Sequence, residues 1–378
     1  MNPFKTFFMG GFECADHINR SGERINLLEE TQHDIRVYED YKLLADIGIM
    51  VVREGVCWSS VEKTPGHFDF SEVLFRMQAA EHYGIQQIWD LIHFGYPDGI
   101  YPTHPKFCER FTKLCQVFGM FYKANSKQPL MVVPINEISF LSWHSGDVRG
   151  TVPFAVNSGW DIKYHLCKAA ILGIKALKEA DSQCRIILVE PLVKIHADGF
   201  VSEEQLLNSN EYQFQAMDII AGRICPELGG EESFLDMLGF NYYWNCQWEG
   251  AAETLPWPEY MIRRTPLNEL LQGAYHRYKK PIFLSETGHF GIGRAPWINE
   301  VAAQCLIAMN RGVELLGLCI YPVTDRPDWD NLESYSNCGI YDLDTESNRI
   351  PEESVIASIK ANQALFDVNV ACNSLNRA

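Results

Sequence analysis

Short apolar runs alternate with longer amphipathic segments along almost the whole chain. The apolar runs are Thr6 to Glu13, Gly48 to Glu54, Gln86 to Ile92, Leu130 to Asn136, Arg185 to Glu190, Phe234 to Tyr243, Pro281 to Glu286 and Leu315 to Tyr321. They lack strict polar alternation, as expected of strands buried on both faces. Helical spacing marks the segments between and after them: Ile35 to Ile47, Ser71 to Tyr83, Pro105 to Ala124, Trp160 to Ala180, Asn210 to Ile224, Pro266 to Tyr278, Pro296 to Arg311 and Glu353 to Phe366. Strands and helices in strict alternation imply parallel βαβ units, and eight such units predict an α/β fold, a (β/α)8 TIM barrel. Residues 1–378 are expected to form one domain, since barrels with insertions reach this length.

Loop lengths point the same way. Links from helix to strand are short, as at Gly84 or Lys279-Lys280, whereas links from strand to helix are long: Cys14 to Asp34, Ile138 to Gly159, Pro191 to Ser209 and Trp244 to Thr265. Elaboration therefore sits on one rim, and in barrels the rim at the carboxyl ends of the strands carries the active site. The Pro and Trp cluster from Leu255 to Glu259 reads as part of such a rim loop.

Two strand candidates end in acid. PIFLSETGHF (Pro281 to Phe290) is apolar until Ser285-Glu286-Thr287, and LMVVPINEIS (Leu130 to Ser139) is apolar until Asn136-Glu137. Packing does not call for a carboxylate at the tip of a buried strand. Each Glu taken alone is compatible with an ion pair at the rim. Together, on the fourth and seventh strands of one barrel, Glu137 and Glu286 are the minimal equipment for cleaving a glycosidic bond, one as nucleophile and one as general acid and base.

Charge narrows the partners. A formal net charge of −17 argues against nucleic acid and anionic membrane surfaces, both of which need clustered cations. The twelve cysteines are spread through the chain without a CxxC pair and read as reduced thiols. No apolar run approaches the length of a membrane span, and MNPFKTFFMGG lacks the order of a signal peptide, which predicts a cytoplasmic protein. Without HExxH, HxxxH or GxSxG patterns, neither a metal site nor a nucleophile elbow is expected, and two-carboxylate chemistry requires no cofactor. A small-molecule glycoside or oligosaccharide is the expected partner.

Over nearly its whole length the sequence resembles glycoside hydrolase family 1, the retaining β-glucosidase and β-galactosidase type of barrel. Asn136-Glu137 resembles the family's fourth-strand Asn-Glu, and Ser285-Glu286-Thr287-Gly288 its seventh-strand Thr-Glu-Asn-Gly. Arg53 with Trp58, His93-Phe94, GFNYY from Gly239 to Tyr243, Asp328-Trp329, CGIYDLD and RIPEES are similar to further family segments. Departures are Ile138 for Pro, Thr287 for Asn, Phe94 for Trp and Tyr321 for Trp. The family's Gln after the first strand has no clear counterpart; Glu13, Asp16 and His17 are the polar candidates. The chain is also shorter than typical members.

The resemblance implies a retaining, exo-acting β-glycosidase. Glu286 would attack the anomeric carbon while Glu137 protonates the leaving oxygen. Arg53 would hold Glu286 ionised, and a charged neighbour with an apolar setting would raise Glu137 toward neutrality. Tyr243 is expected to hydrogen-bond Glu286. His93, Asn136, Asn241, Asp328 and Trp329 would bind the sugar, with Tyr321 in support. The acids of Thr324 to Asn337, with Arg326 as the sole cation there, imply a preference for a non-phosphorylated sugar. Two alternatives stay open: a catalytically weak or silent sugar-binding barrel, and a transglycosidase of the same fold.

Overall fold

The computed structural model describes residues 2–250 and 253–375. Eight parallel strands close into a barrel: β1 (Phe8–Gly11), β2 (Val51–Gly55), β3 (Gln86–Ile92), β4 (Met131–Ile135), β5 (Arg185–Pro191), β6 (Met237–Asn241), β7 (Ile282–Thr287) and β8 (Leu315–Ile320). Each strand pairs with its sequence neighbours, and β1 closes the ring against β8. Outside lie α1 (His33–Asp46), α2 (Ser71–Tyr83), α3 (Phe107–Asn125), α4 (Gly159–Ala180), α5 (Gln215–Ile220), α6 (Leu267–Tyr278), α7 (Arg294–Asn310) and α8 (Glu353–Leu375). This is the expected (β/α)8 TIM barrel. No helix among the described residues is long and apolar enough to cross a membrane.

Two apolar cores follow from the pleat. Inward-pointing side chains, among them Met9, Val51, Ile88, Val133, Ile187 and Phe283, fill the barrel lumen, and Phe4 joins them. A larger core lies between strands and helices. Because successive strand residues face opposite sides, Val51 and Arg53 of β2 point into the barrel while Val52 and Glu54 point to the helices. The lumen is thus packed below and polar only at the carboxyl ends of the strands, where Arg53 sits.

Several element boundaries differ from the sequence expectation. The segment Ile138 to Gly159, expected as a loop, contains the helix Ile138–Gly146. The single helix expected from Asn210 to Ile224 is instead Glu203–Glu211, a 3-10 turn at Tyr212–Phe214 and α5. Strand β6 begins at Met237, after a 3-10 turn at Glu232–Phe234. The rim also carries a small sheet of Lys194–His196, Gln247–Glu249 and Glu253–Thr254; Ala251 and Ala252 of the long rim loop lie outside the described residues.

Candidate active site

Strand β7 delivers Glu286. Its register against β6 shifts between Leu284 and Glu286, a bulge of the kind that re-aims side chains. Ser285 donates its hydroxyl to Asn241 Oδ1 at 2.6 Å, while Glu286 faces Arg53 and Tyr243. Ser285 fits only because β6 carries glycine opposite: a Cβ on Gly239 would lie 2.6 Å from Ser285 Oγ.

Arg53 organises the floor. Its Nη1 donates to Glu286 Oε1 at 2.9 Å and to the Ser285 carbonyl at 2.8 Å. Its Nη2 donates to Asp90 and, at 3.2 Å, to Asn136 Oδ1. The guanidinium is almost wholly buried, and a buried charge persists only when opposed by partner charges, here Asp90 and Glu286. From the other side the Tyr243 hydroxyl donates to Glu286 Oε2 at 2.8 Å. Burial, reinforced by the charge of Glu286, holds the Tyr243 hydroxyl well above its ordinary range, so it stays a donor.

Glu137 follows β4 in a left-handed conformation, φ 46° and ψ 59°. A non-glycine residue in that region carries local strain, which concentrates at functional sites. The turn lets the chain pass from strand directly into the helix Ile138–Gly146. Burial and, next, the charge of Glu286 push the Glu137 carboxyl well above the ordinary carboxylate range. Asn241 Nδ2 donates to Glu137 Oε1 at 3.0 Å. Asn136 is fully buried, and its Nδ2 has no protein partner, which leaves a donor for a ligand hydroxyl. Two carboxyl groups of one pocket are thus held differently. Glu286 accepts from a cation and a phenol, whereas Glu137 has a single amide donor among the described residues and is raised.

His93, just after β3, donates through Nδ1 to Asp90 Oδ2 at 2.9 Å, and its Nε2 lies 3.3 Å from the Tyr321 hydroxyl. Burial works against its positive charge, but Asp90, Glu13 and Glu286 outweigh it and raise the pKa above 6.5. Tyr321 lies over β1, where a Cβ on Gly11 would be 2.3 Å from its ring. Its hydroxyl donates to the Phe12 carbonyl at 3.1 Å. Cys14, Asp90 and His93 present their ligand atoms within 4.8 Å of one another. A cation there would share Asp90 with the Arg53 guanidinium and would need a Cys14 thiol that burial pushes well up, so the donor set suits a salt-bridge network better than a metal.

No family model matches the chain, and no curated protein matches it significantly. Solved structures match over nearly all of it. A family 1 β-glucosidase from Thermotoga maritima superposes with a TM-score of 0.76 at 15% identity, covering 95% of this chain and 98% of that one. The same enzyme in complex with methoxycarbonyl-substituted glucoimidazole gives 0.77 at 15% identity, covering 96% and 99%. Its azafagomine complex gives 0.72 at 16%, covering 88% and 87%. The fold is that of the family 1 β-glucosidases.

Within this family 1 fold, Arg53, His93, Asn136, Glu137, Asn241, Tyr243, Glu286 and Tyr321 form one connected cluster. Trp329 stands beside it, with its ring centroid 5.3 Å from that of Phe94 and 4.7 Å from that of His17. Asp328 does not join. It is exposed, its backbone N–H donates to the Ser334 carbonyl at 2.8 Å, and its Oδ1 accepts the Asp330 N–H at 2.9 Å. The loop's own turn hydrogen bonds use the carboxylate that the sequence assigned to sugar binding. Asp330 and Glu333, expected to repel phosphate, are likewise exposed.

Three residues enter that the sequence left open or overlooked. Glu13 is buried, with Oε2 3.4 Å from Arg326 Nε. His17 is buried with both ring nitrogens unpartnered; burial, then the charge of His144, lower its pKa to about 3, so it is neutral. Glu190, at the end of β5, accepts the Ser139 N–H at 3.1 Å on one oxygen and 3.2 Å on the other. It anchors the first turn of the helix that Glu137 opens; burial outweighs these N–H bonds and raises its pKa to about 7. An acid at the end of a third apolar run, ILVE, was the available signal for it.

Proposed function

We propose that the chain is a cytoplasmic catalytic barrel, a retaining exo-acting β-glycosidase that hydrolyses a terminal, non-phosphorylated β-linked sugar in carbohydrate metabolism. The observation that carries this is the pair Glu137 and Glu286, set on the ends of β4 and β7 and held in opposite environments. Glu286, aligned by Arg53 and Tyr243, attacks the anomeric carbon. Glu137, raised by burial and by Glu286, gives its proton to the leaving oxygen. Once Glu286 is esterified its charge is gone, the Glu137 pKa falls, and the resulting carboxylate deprotonates the water that releases the sugar. The free Nδ2 of Asn136 donates to the sugar hydroxyl adjacent to the anomeric carbon, a contact that strengthens in the transition state. Trp329 offers its face to the apolar side of the ring, and Asn241 and His93 bind further hydroxyls.

The Asp328 carboxylate, exposed and tied at Oδ1 to the Asp330 N–H, favours a second reading, a sugar-binding barrel with weak or no turnover. Aryl β-glycosides of gluco, galacto, fuco, manno and xylo configuration separate the two. Release of the aryl group with the β-anomer as first product supports the retaining hydrolase. Folded protein that binds these compounds but releases nothing supports the silent barrel.

A further inference from the structure

We propose that Glu13 sets the charge preference of the pocket: by neutralising Arg326 it commits the site to uncharged sugars, and without it Arg326 would capture a sugar carboxylate or phosphate. This rests on the glycosidase reading and names the residue that decides which sugars that site accepts.

Glu13 lies just beyond β1 and is 5% exposed. Oε1 accepts the Ala15 N–H at 3.1 Å, and stands 3.4 Å from the Tyr321 hydroxyl oxygen and 3.7 Å from His93 Nε2. Oε2 meets Arg326 Nε at 3.4 Å. Glu13 therefore touches Tyr321 and His93 on one side and the rim loop's cation on the other. Arg326 Nη1 donates to the Pro327 carbonyl at 2.9 Å, and its guanidinium lies 5.8 Å from the Trp329 ring centroid. Its side chain keeps 24% exposure, and Nη2 has no hydrogen-bond partner among the described residues. A guanidinium has five N–H donors in a fork that matches carboxylate and phosphate, so Arg326 is equipped to hold an anion. Glu13 supplies the opposing charge.

The remaining charges of the cluster are already matched. Arg53 spans Asp90 and Glu286, and His93 leans on Asp90. Glu13 turns Oε2 to Arg326 and Oε1 toward His93, so it pairs the rim loop's cation with the cluster. An incoming sugar anion would have to displace a buried carboxylate that has nowhere to go, or sit beside it unpaired, and either disfavours binding. An uncharged sugar meets an acceptor, Glu13, and a donor, Arg326 Nη2, side by side.

The test is equilibrium binding at pH 7 and fixed ionic strength, by calorimetry, of methyl β-glucoside against methyl β-glucuronide and of the corresponding galacto pair. Glu13→Gln keeps the shape and removes the charge. It should tighten uronide binding by about tenfold or more relative to the neutral glycoside. Adding Arg326→Gln should abolish that gain, and Glu13→Asp, which retains the charge, should leave the wild-type preference. A ratio that does not move in Glu13→Gln, a gain that survives Arg326→Gln, or an equal gain in Glu13→Asp overturns the proposal. If Glu13→Gln does not fold, Arg326→Gln alone decides. An already neutralised arginine can be removed without loss of uronide affinity, so a tenfold loss (about 1.4 kcal/mol) would refute the role of Glu13. Turnover of aryl glycosides, followed in parallel, tests the underlying reading separately: absent hydrolysis with the binding ratio as expected counts against the glycosidase and not against Glu13.

Discussion

Asn241 donates its side-chain N–H to Glu137 at 3.0 Å while its carbonyl oxygen accepts the Ser285 hydroxyl at 2.6 Å. The serine fixes the amide so that nitrogen, not oxygen, meets the carboxyl. In the register of the sheet, Asn241 is the partner of Glu286. One residue therefore bridges the ends of β4, β6 and β7, and its amide partly offsets the burial and the Glu286 charge that raise Glu137.

Replacing Asn241 tests that offset. The amide stabilises the carboxylate form and is the influence that lowers the Glu137 pKa most, against burial and the charge of Glu286. Asn241→Leu should therefore raise the Glu137 pKa further and move the basic limb of the kcat/KM profile to higher pH. A basic limb that stays in place, in a variant that still turns over, would assign the acid to another residue.

Glu137→Ala should slow glycosides with poor leaving groups far more than dinitrophenyl glycosides, because only the former need a proton in the transition state. General acid catalysis contributes about 10²- to 10⁴-fold, and that range is the expected loss for a poor leaving group. The comparison is a plot of kcat/KM against leaving-group pKa, which should steepen in the variant. Equal losses across the series would mean that Glu137 positions substrate and does not protonate it.

Glu286→Gly should abolish turnover and keep the fold, since the side chain sits at the rim and not in the lumen core of Val51, Ile88, Val133 and Phe283. Added azide can then enter the vacated space and release an activated leaving group, giving the α-glycosyl azide. Circular dichroism checks the fold and NMR identifies the product. A folded, ligand-binding variant that azide does not rescue argues for a different nucleophile.

Why some of this site is legible in the sequence and some is not follows from where each constraint resides. The strand period of two puts Arg53 inside and Glu54 outside, and an acid ending an apolar run marks Glu137 and Glu286 without any tertiary information. The helix Ile138–Gly146 escapes because ISFLSWHSG has no continuous polar face; it is covered by rim segments and so shows no amphipathic stripe. Asp328 is misplaced for a different reason. Its orientation is set by turn hydrogen bonds to Ser334 and Asp330, and nothing in Asp-Trp-Asp distinguishes a carboxylate facing sugar from one facing water. The Glu13 and Arg326 pair joins residues 313 positions apart in sequence, a contact that only closure of β1 against β8 creates.

A distinct pH dependence of stability should come from a second buried network, on the outer face of β2. His33 Nδ1 meets Asp40 at 2.7 Å and its Nε2 meets Glu54 at 2.9 Å. Arg349 donates to both oxygens of Asp40 at 2.6 and 2.8 Å, and Tyr41 donates to Glu54. Burial opposes every one of these charges, yet the partners prevail: His33 is raised from 6.5, while Asp40 and Glu54 are lowered from 3.8 and 4.5. A raised histidine contributes stability that is complete below 6.5 and is lost as pH climbs through its folded pKa. A lowered carboxylate contributes stability that is complete above its ordinary value and is lost as pH falls through its folded pKa. The network is therefore intact between about pH 4.5 and 6.5 and weakens on both sides. His33→Leu leaves Asp40 with Arg349 and Glu54 with Arg76 and Tyr41 but without the cation they share, which should cost up to about 3 to 5 kcal/mol, flatten the alkaline limb and also weaken the acid one, because His33 helps to lower both carboxylates. Urea unfolding of wild type and variant from pH 4 to 9 measures both effects. An alkaline limb unchanged in His33→Leu would show that His33 is neutral in the folded protein and that another group sets the alkaline limit.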